Sequence, residues 1–280
     1  MFSKVAFEAI GQVTGPEIVD PLAAGEKVFL FDLDVLVASR FGRMDHEFAG
    51  YVREFARSHP CYLLTSANYS EVMSRLPGSV RHAFEGVFAS CGTELWVNNE
   101  ILIRHEHLFS DDLYEFVAKA VQQSAYSGKE APLLECGSAT LRLSLAGIRS
   151  TAGQQMAYRR WEREHRELDV IADEMKARFP DHTVCRDSDI SLMITPNTFT
   201  SARVHEHILK RHKASRLIAY FANRSAGGFA KPLCDALLTS DVVSTVNGPS
   251  DVSQLLSYEM RSAPDAGQRP HTMNRMLQEA

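Results

Sequence analysis

No stretch of this chain is apolar for long enough to cross a bilayer, since a membrane helix needs roughly 18 such residues. The N-terminus lacks the basic start and apolar core of a secretory signal. Cysteines are few and badly placed for pairing: five, odd in number, scattered at Cys61, Cys91, Cys136, Cys185 and Cys234, with no CxxC pair. That spacing excludes a disulfide framework or zinc ribbon and predicts reduced thiols, mostly buried as small hydrophobes, in a cytoplasmic protein. Lys and Arg form no long block and the net charge is −5, so nothing pulls the chain toward nucleic acid or an anionic membrane. Internal repeats and low-complexity tracts are missing too. What remains is 280 residues, 45% hydrophobic and 23% charged. That is ordinary for a globular protein and long enough for two modest domains, or one domain carrying a large insertion.

The most informative stretch is KVFLFDLDVLV, Lys27 to Val37. An apolar run this short, following Gly25, suits a central strand of a parallel sheet. It ends in Asp32 and Asp34, at the C-terminal strand edge where open α/β sheets place ligands. A solvated loop with two surface acids is the competing reading. Downstream, Asp45 predicts the N-cap of a helix to about Ser58, with Phe48, Tyr51, Val52 and Phe55 at helical spacing. Cys61 to Leu64 reads as a second strand running into Thr65 and Ser66, Tyr69 to Leu76 as a helix, and Gly86 to Ser90 as a third strand. Such alternation predicts a doubly wound parallel sheet.

The pattern then changes. Glu94 to Arg104 reads as a hairpin turning at Asn98-Asn99, and Ser110 caps a helix. Strands are expected at Leu133–Cys136, Thr140–Leu145, His182–Arg186 and Ile190–Thr195. Between them one long helix runs from a capping box at Thr151 and Gln154 to Pro180, with Trp161, Leu168, Ile171, Met175 and Phe179 on one face. Paired strands with helices between the pairs predict an α+β domain inserted in the first. After Pro196 the alternation resumes: a helix from Ser201 to Lys213, the strand Arg216–Phe221, a Gly-rich turn at Gly227-Gly228, the strand Val242–Val246 and a last helix to Arg261. The expected divisions are an extension (1–26), core (27–103 and 196–262), inserted cap (104–195) and tail (263–280).

The order FDLDV, LLTSAN, inserted domain and YFANRSAGG resembles the haloacid dehalogenase (HAD) superfamily of phosphoryl-transfer enzymes. More narrowly it is similar to eukaryotic-type phosphomannomutases and capped sugar phosphatases. VFASCGTELW, TLRLSL, DISLMITP and VNGPSDVSQLL support this, from about Val28 to Met260. The resemblance implies a Rossmann-like α/β core with an α+β cap. It makes Asp32 the nucleophile of an aspartyl-phosphate mechanism and Asp34 the general acid/base. Thr65, with Ser66, would hold the phosphoryl oxygens. Mg²⁺ would lie on the Asp32 carboxylate, the Asp34 carbonyl and a later acid. A small phosphorylated metabolite, of the sugar-phosphate class, is the implied substrate, and a homodimer through the cap the implied assembly.

Two positions depart from the family. The later metal acid falls on Ala222-Asn223, leaving Asn223 as an uncharged ligand, or on Phe229 or Ala230 after the Gly-Gly turn. The phosphate-binding lysine falls on Ser201 or Ala202 by helical phase, and on Arg203 by an ungapped count. Val35 and Leu36 replace the family's Gly-Thr after the aspartates. In the cap, Cys136 stands where an arginine is expected, Arg142 and Arg149 are the remaining phosphate-gripping candidates, and Ser191 precedes Met193, which replaces an acid. Two functions are therefore weighed: Mg²⁺-dependent phosphotransferase or phosphatase, and a degenerate member of the fold that binds a ligand or partner without turnover. His105 and His107 would share one strand face and could chelate a metal, while His205 and His207 would diverge on a helix; solvated faces are the plainer reading. The RRWEREHRE run, Arg159 to Glu167, reads as an exposed helix face laced with ion pairs or as a partner surface.

Overall fold

A computed structural model of the chain describes residues 27–38, 42–213, 215–238 and 240–262. The extension at 1–26 and the tail at 263–280 lie outside the described residues. The core is a seven-stranded sheet built from β1 (Lys27–Asp32), β2 (Cys61–Leu64), β3 (Gly86–Ala89), β4 (Glu94–Val97), β5 (Glu100–Arg104), β10 (Arg216–Phe221) and β11 (Val242–Thr245). Its order is β11-β10-β1-β2-β3-β4-β5. The strands from β11 to β3 run parallel, while β4 and β5 form an antiparallel hairpin at the edge. Asn98 and Asn99 turn that hairpin with φ of 52° and 68°, a left-handed geometry that asparagine tolerates better than most residues.

Both faces of the parallel strands are covered, which explains their unbroken apolar character. On one face Phe29, Phe31, Leu63 and Val87 pack with Val52 and Phe55 of α1 (His46–Ser58) and with Val252 and Leu256 of α10 (Pro249–Ser262). The Asp45 side chain caps α1 as its position predicts, accepting from the Glu47 and Phe48 amides. On the other face Leu30, Tyr62, Leu64 and Phe88 pack with Val204 and Ile208 of α7 (Ala202–Arg211) and Leu233 of α9 (Lys231–Ala236). Between β2 and β3 lie α2 (Tyr69–Arg75) and a single extra turn, α3 (Gly78–Arg81), which the sequence reading does not anticipate. Between β10 and β11, α8 (Asn223–Gly227) precedes α9, two helices where the sequence predicts one.

The inserted domain has its own core. Four antiparallel strands, β6 (Leu134–Cys136), β7 (Leu141–Leu143), β8 (His182–Ser188) and β9 (Ser191–Pro196), are ordered β6-β7-β9-β8. Leu141, Leu143, Leu192 and Ile194 pack with Leu113 and Val117 of α4 (Asp111–Gln123), Tyr158 of α5 (Ala152–His165) and Leu168, Ile171 and Met175 of α6 (Glu167–Arg178). Here the sequence reading needs a correction: the long helix is two. Arg166 sits between α5 and α6 at φ 52°, ψ 34°. The break lets the buried Glu162 carboxylate accept from the Leu168 amide at 3.2 Å and pair with Arg186 at 2.5 Å.

Candidate active site beneath the cap

Asp32 closes β1 in register with Leu64 of β2, so Thr65 emerges beside it on the adjacent strand. On the other flank Phe31 pairs with Tyr220 of β10, and the chain leaving β10 folds over the Asp32 carboxylate. The Ala222 amide reaches Asp32 Oδ2 at 3.3 Å, the Asp34 amide reaches Oδ1 at 3.2 Å, and the Ser225 hydroxyl adds a third hydrogen bond. With 1% exposure the carboxyl has lost its solvation. Burial, reinforced by the like charge of Asp34, pushes its pKa up to about 7.

Asp34 lies in a 3₁₀ turn, Leu33–Val35, whose N-cap is Asp32. Its carboxylate is bound by Arg75 of α2 at 2.9 Å. Val35 and Leu36, bulky where the family resemblance implies Gly-Thr, are fully buried in the core that includes Phe31 and Val52. They anchor the turn by packing. Thr65 is buried, its hydroxyl oxygen accepting from the Ala67 amide at 3.1 Å. The segment after β3 turns back on this loop, with the Cys91 amide bonded to the Thr65 carbonyl at 2.8 Å. Gly92, at φ 88°, is needed there, because a Cβ would lie 2.8 Å from Val204.

The other expected site residues fare differently. Arg142 does not offer its charge to a ligand. It is 6% exposed: Nη1 bonds Glu135 at 3.0 Å and Glu71 of α2 at 3.3 Å, Nη2 bonds the Ser66 carbonyl at 3.0 Å, and Nε lies 3.2 Å from Asp187 as an ion pair without a hydrogen bond. Ser66 thus meets the cap through its backbone. Ser191 is buried and bonded to Ser188 at 2.6 Å and Asp187 at 3.2 Å, so Arg142 and Ser191 share one carboxylate. Arg149 is exposed in the turn after β7. Arg203 is exposed too, its guanidinium 5.8 Å above the Phe199 ring. Asp32 takes its hydrogen bonds instead from Asp34, Ala222 and Ser225. Ser201 is committed to helix packing: its hydroxyl donates to the Phe229 carbonyl at 2.9 Å and accepts from the Leu233 amide at 3.2 Å. Sequence reasoning missed Ser225, Arg75 and Glu71. Ser225 lies inside the recognisable NRSAGG turn, but only the fold brings Arg75 and Glu71 to the aspartates and the cap.

The Mg²⁺ site implied by the resemblance does not fit these residues. The Asp32 oxygens already accept from two amides and a hydroxyl, and Asn223, at the place of the expected acid, is exposed and uncharged. Among the described residues no group of three or more His, Cys, Asp or Glu could hold a metal. A hard divalent ion is usually bound through one or two carboxylates; of the expected set only the Asp32 carboxylate remains, and it is already hydrogen-bonded on both oxygens.

A parallel sheet with an antiparallel edge hairpin, helices on both faces and an acidic pair at the central strand's C-terminal edge define a HAD-like α/β fold. Solved structures share that fold. An IMP-bound IMP-nucleotidase of Plasmodium falciparum superposes with a TM-score of 0.59 at 13% identity, covering 86% of this chain and 69% of that one. A haloacid dehalogenase-like hydrolase of Bacteroides thetaiotaomicron gives 0.53 at 13%, covering 84% and 99%. The TM0651 protein of Thermotoga maritima gives 0.54 at 14%, covering 86% and 98%. No family model and no curated protein matches the sequence. Identities this low establish the fold and leave the chemistry to the site.

Proposed function

We propose that this chain is a phosphatase-type HAD protein that receives a small phosphorylated metabolite, of the sugar-phosphate class, beneath its cap, with Asp32 as the nucleophile. The observation that carries the reading is the placement of Asp32 and Thr65 at the C-terminal edges of adjacent parallel strands, with Asp34 on the next turn. In this reading an ionised Asp32 oxygen attacks phosphorus and the ester oxygen leaves, taking a proton from water, because the Asp34 carboxylate is bound by Arg75. Water then hydrolyses the aspartyl phosphate and restores the carboxylate. The expected rate is low. A missing positioned donor typically costs about 10²–10³ in rate; the lysine position falls on Ser201, committed to packing, on Ala202, or on Arg203, whose guanidinium lies over Phe199.

A second reading, binding without turnover, is favoured by the pairing of Asp34 with Arg75 and the burial of Asp32. The two separate in one assay of generic and sugar phosphate esters, with and without Mg²⁺, against an Asp32→Asn control. Slow hydrolysis that needs Asp32 and ignores Mg²⁺ is expected. A rate no higher than that of Asp32→Asn removes the enzyme reading and leaves the binding one. Strong stimulation by Mg²⁺ overturns the metal-free site.

A further inference from the structure

His105 and His107, one strand face in the sequence, find separate partners in the fold. His105 packs on the Phe199 ring, centroids 4.5 Å apart. His107 lies in the segment that carries the chain from β5 into α4, and its ring points at His182, the first residue of β8. The two Nε2 atoms are 3.3 Å apart, with ring centroids at 5.4 Å and planes at 68°. Behind His182, Asp181 Oδ1 lies 2.9 Å from Nδ1. A carboxylate there holds the proton on Nδ1 and leaves the Nε2 lone pair facing His107.

We propose that His107 and His182 form a two-imidazole site for a borderline divalent transition metal, Zn²⁺ or Ni²⁺, where the chain enters the cap. Two nitrogens bound to one tetrahedral zinc at about 2.0–2.1 Å stand about 3.3–3.4 Å apart, which the observed separation matches. Asp181 supplies the outer-shell carboxylate that such sites use to orient a histidine. His107, though not the buried His182, borders an open cleft of about 780 Å³, beside Tyr114, Cys136 and Ser138, so a metal would arrive from the His107 side. Among the described residues no cluster of three or more His, Cys, Asp or Glu forms. Imidazole donors select Zn²⁺ or Ni²⁺ over Mg²⁺, so the site is chemically separate from Asp32. A bound ion ties the core-to-cap connection to the cap sheet.

A direct hydrogen bond between the rings fits the same distance, and metal titration separates the two. Calorimetric titration of the full chain with ZnCl₂ or NiCl₂ near neutral pH is expected to show one saturable equivalent. His107→Ala and His182→Ala should each weaken it at least about tenfold, and Asp181→Asn by about 10–100-fold. Cys136→Ser, which removes the exposed thiol in the cleft, should leave it intact. Circular dichroism of each variant checks folding. Lack of saturable binding in the unaltered protein, unchanged affinity in folded His107→Ala, or loss in Cys136→Ser overturns the proposal.

Discussion

Asp32 carries two roles whose pH dependences run in opposite directions. As nucleophile it must be ionised, so any turnover should rise as pH passes about 7. As a buried acid it opposes stability in that same form. Its folded pKa is raised from 3.8 to about 7, so across that window the unfolded chain releases a proton that the folded chain keeps. Stability contributed by Asp32 is therefore complete at acid pH and lost as pH rises through the window. Asp32→Asn should unfold at higher urea than the unaltered protein at pH 8, by up to about 4 kcal/mol, and differ little at pH 4. Equal urea midpoints at pH 8 would sink this account of the burial. The sequence points to the acidic pair but is silent on Arg75. A bond spanning 41 residues leaves no local trace.

At the scale of elements, the break between α5 and α6 shows how periodicity misleads. Apolar residues continue at helical spacing through Trp161, Leu168 and Ile171, and no Gly or Pro interrupts them. The chain nevertheless places Arg166 in the left-handed region, which costs an L-residue roughly 1–2 kcal/mol. A half-buried cluster compensates: Glu162 takes Arg186 at 2.5 Å and Arg186 takes Asp169 at 2.6 Å, and the freed Leu168 amide bonds Glu162. Arg166→Gly relieves the backbone and gives up only an exposed pair with Asp169, worth about 0–1 kcal/mol. A gain of about 0.5–1 kcal/mol in urea unfolding is expected; a loss would mean that the conformation is not strained. Strands and caps were more legible. Cys61–Leu64 has its expected bounds, and Asp45, Ser110 and Thr151 cap the helices they precede, because each signal is decided within a few residues.

For the molecule as a whole, the cap is fastened to the core through Arg142. Its guanidinium joins Asp187 and Glu135 of the cap to Glu71 and the Ser66 carbonyl of the core. Asn68 adds a bond to Glu135 at 3.1 Å, and α8 packs against β8 beside it. Removing one partner of a buried charge network costs about 3–5 kcal/mol, much of it from carboxylates left behind. Arg142→Ala should lose about that much in urea unfolding and open the cap. Opening is read by a thiol reagent: Cys91, 4% exposed beneath the cap, should label faster, while exposed Cys136 should be unaffected. Unchanged labelling of Cys91 in a destabilised variant would show that Arg142 stabilises the cap without holding it shut.

The sequence by itself determined the alternation of strands and helices, the insertion of an α+β unit, and the place of Asp32 and Asp34 at a strand's end. All of these are set by local periodicity, capping and turn chemistry. Only the tertiary structure decided what those aspartates meet. It gave Asp34 to Arg75, closed Ala222 and Ser225 over Asp32, turned Arg142 from an expected ligand contact into an internal fastening, and brought His107 to His182. Charge pairing acts through space, and residues far apart in the chain become neighbours only once the sheet and cap have formed.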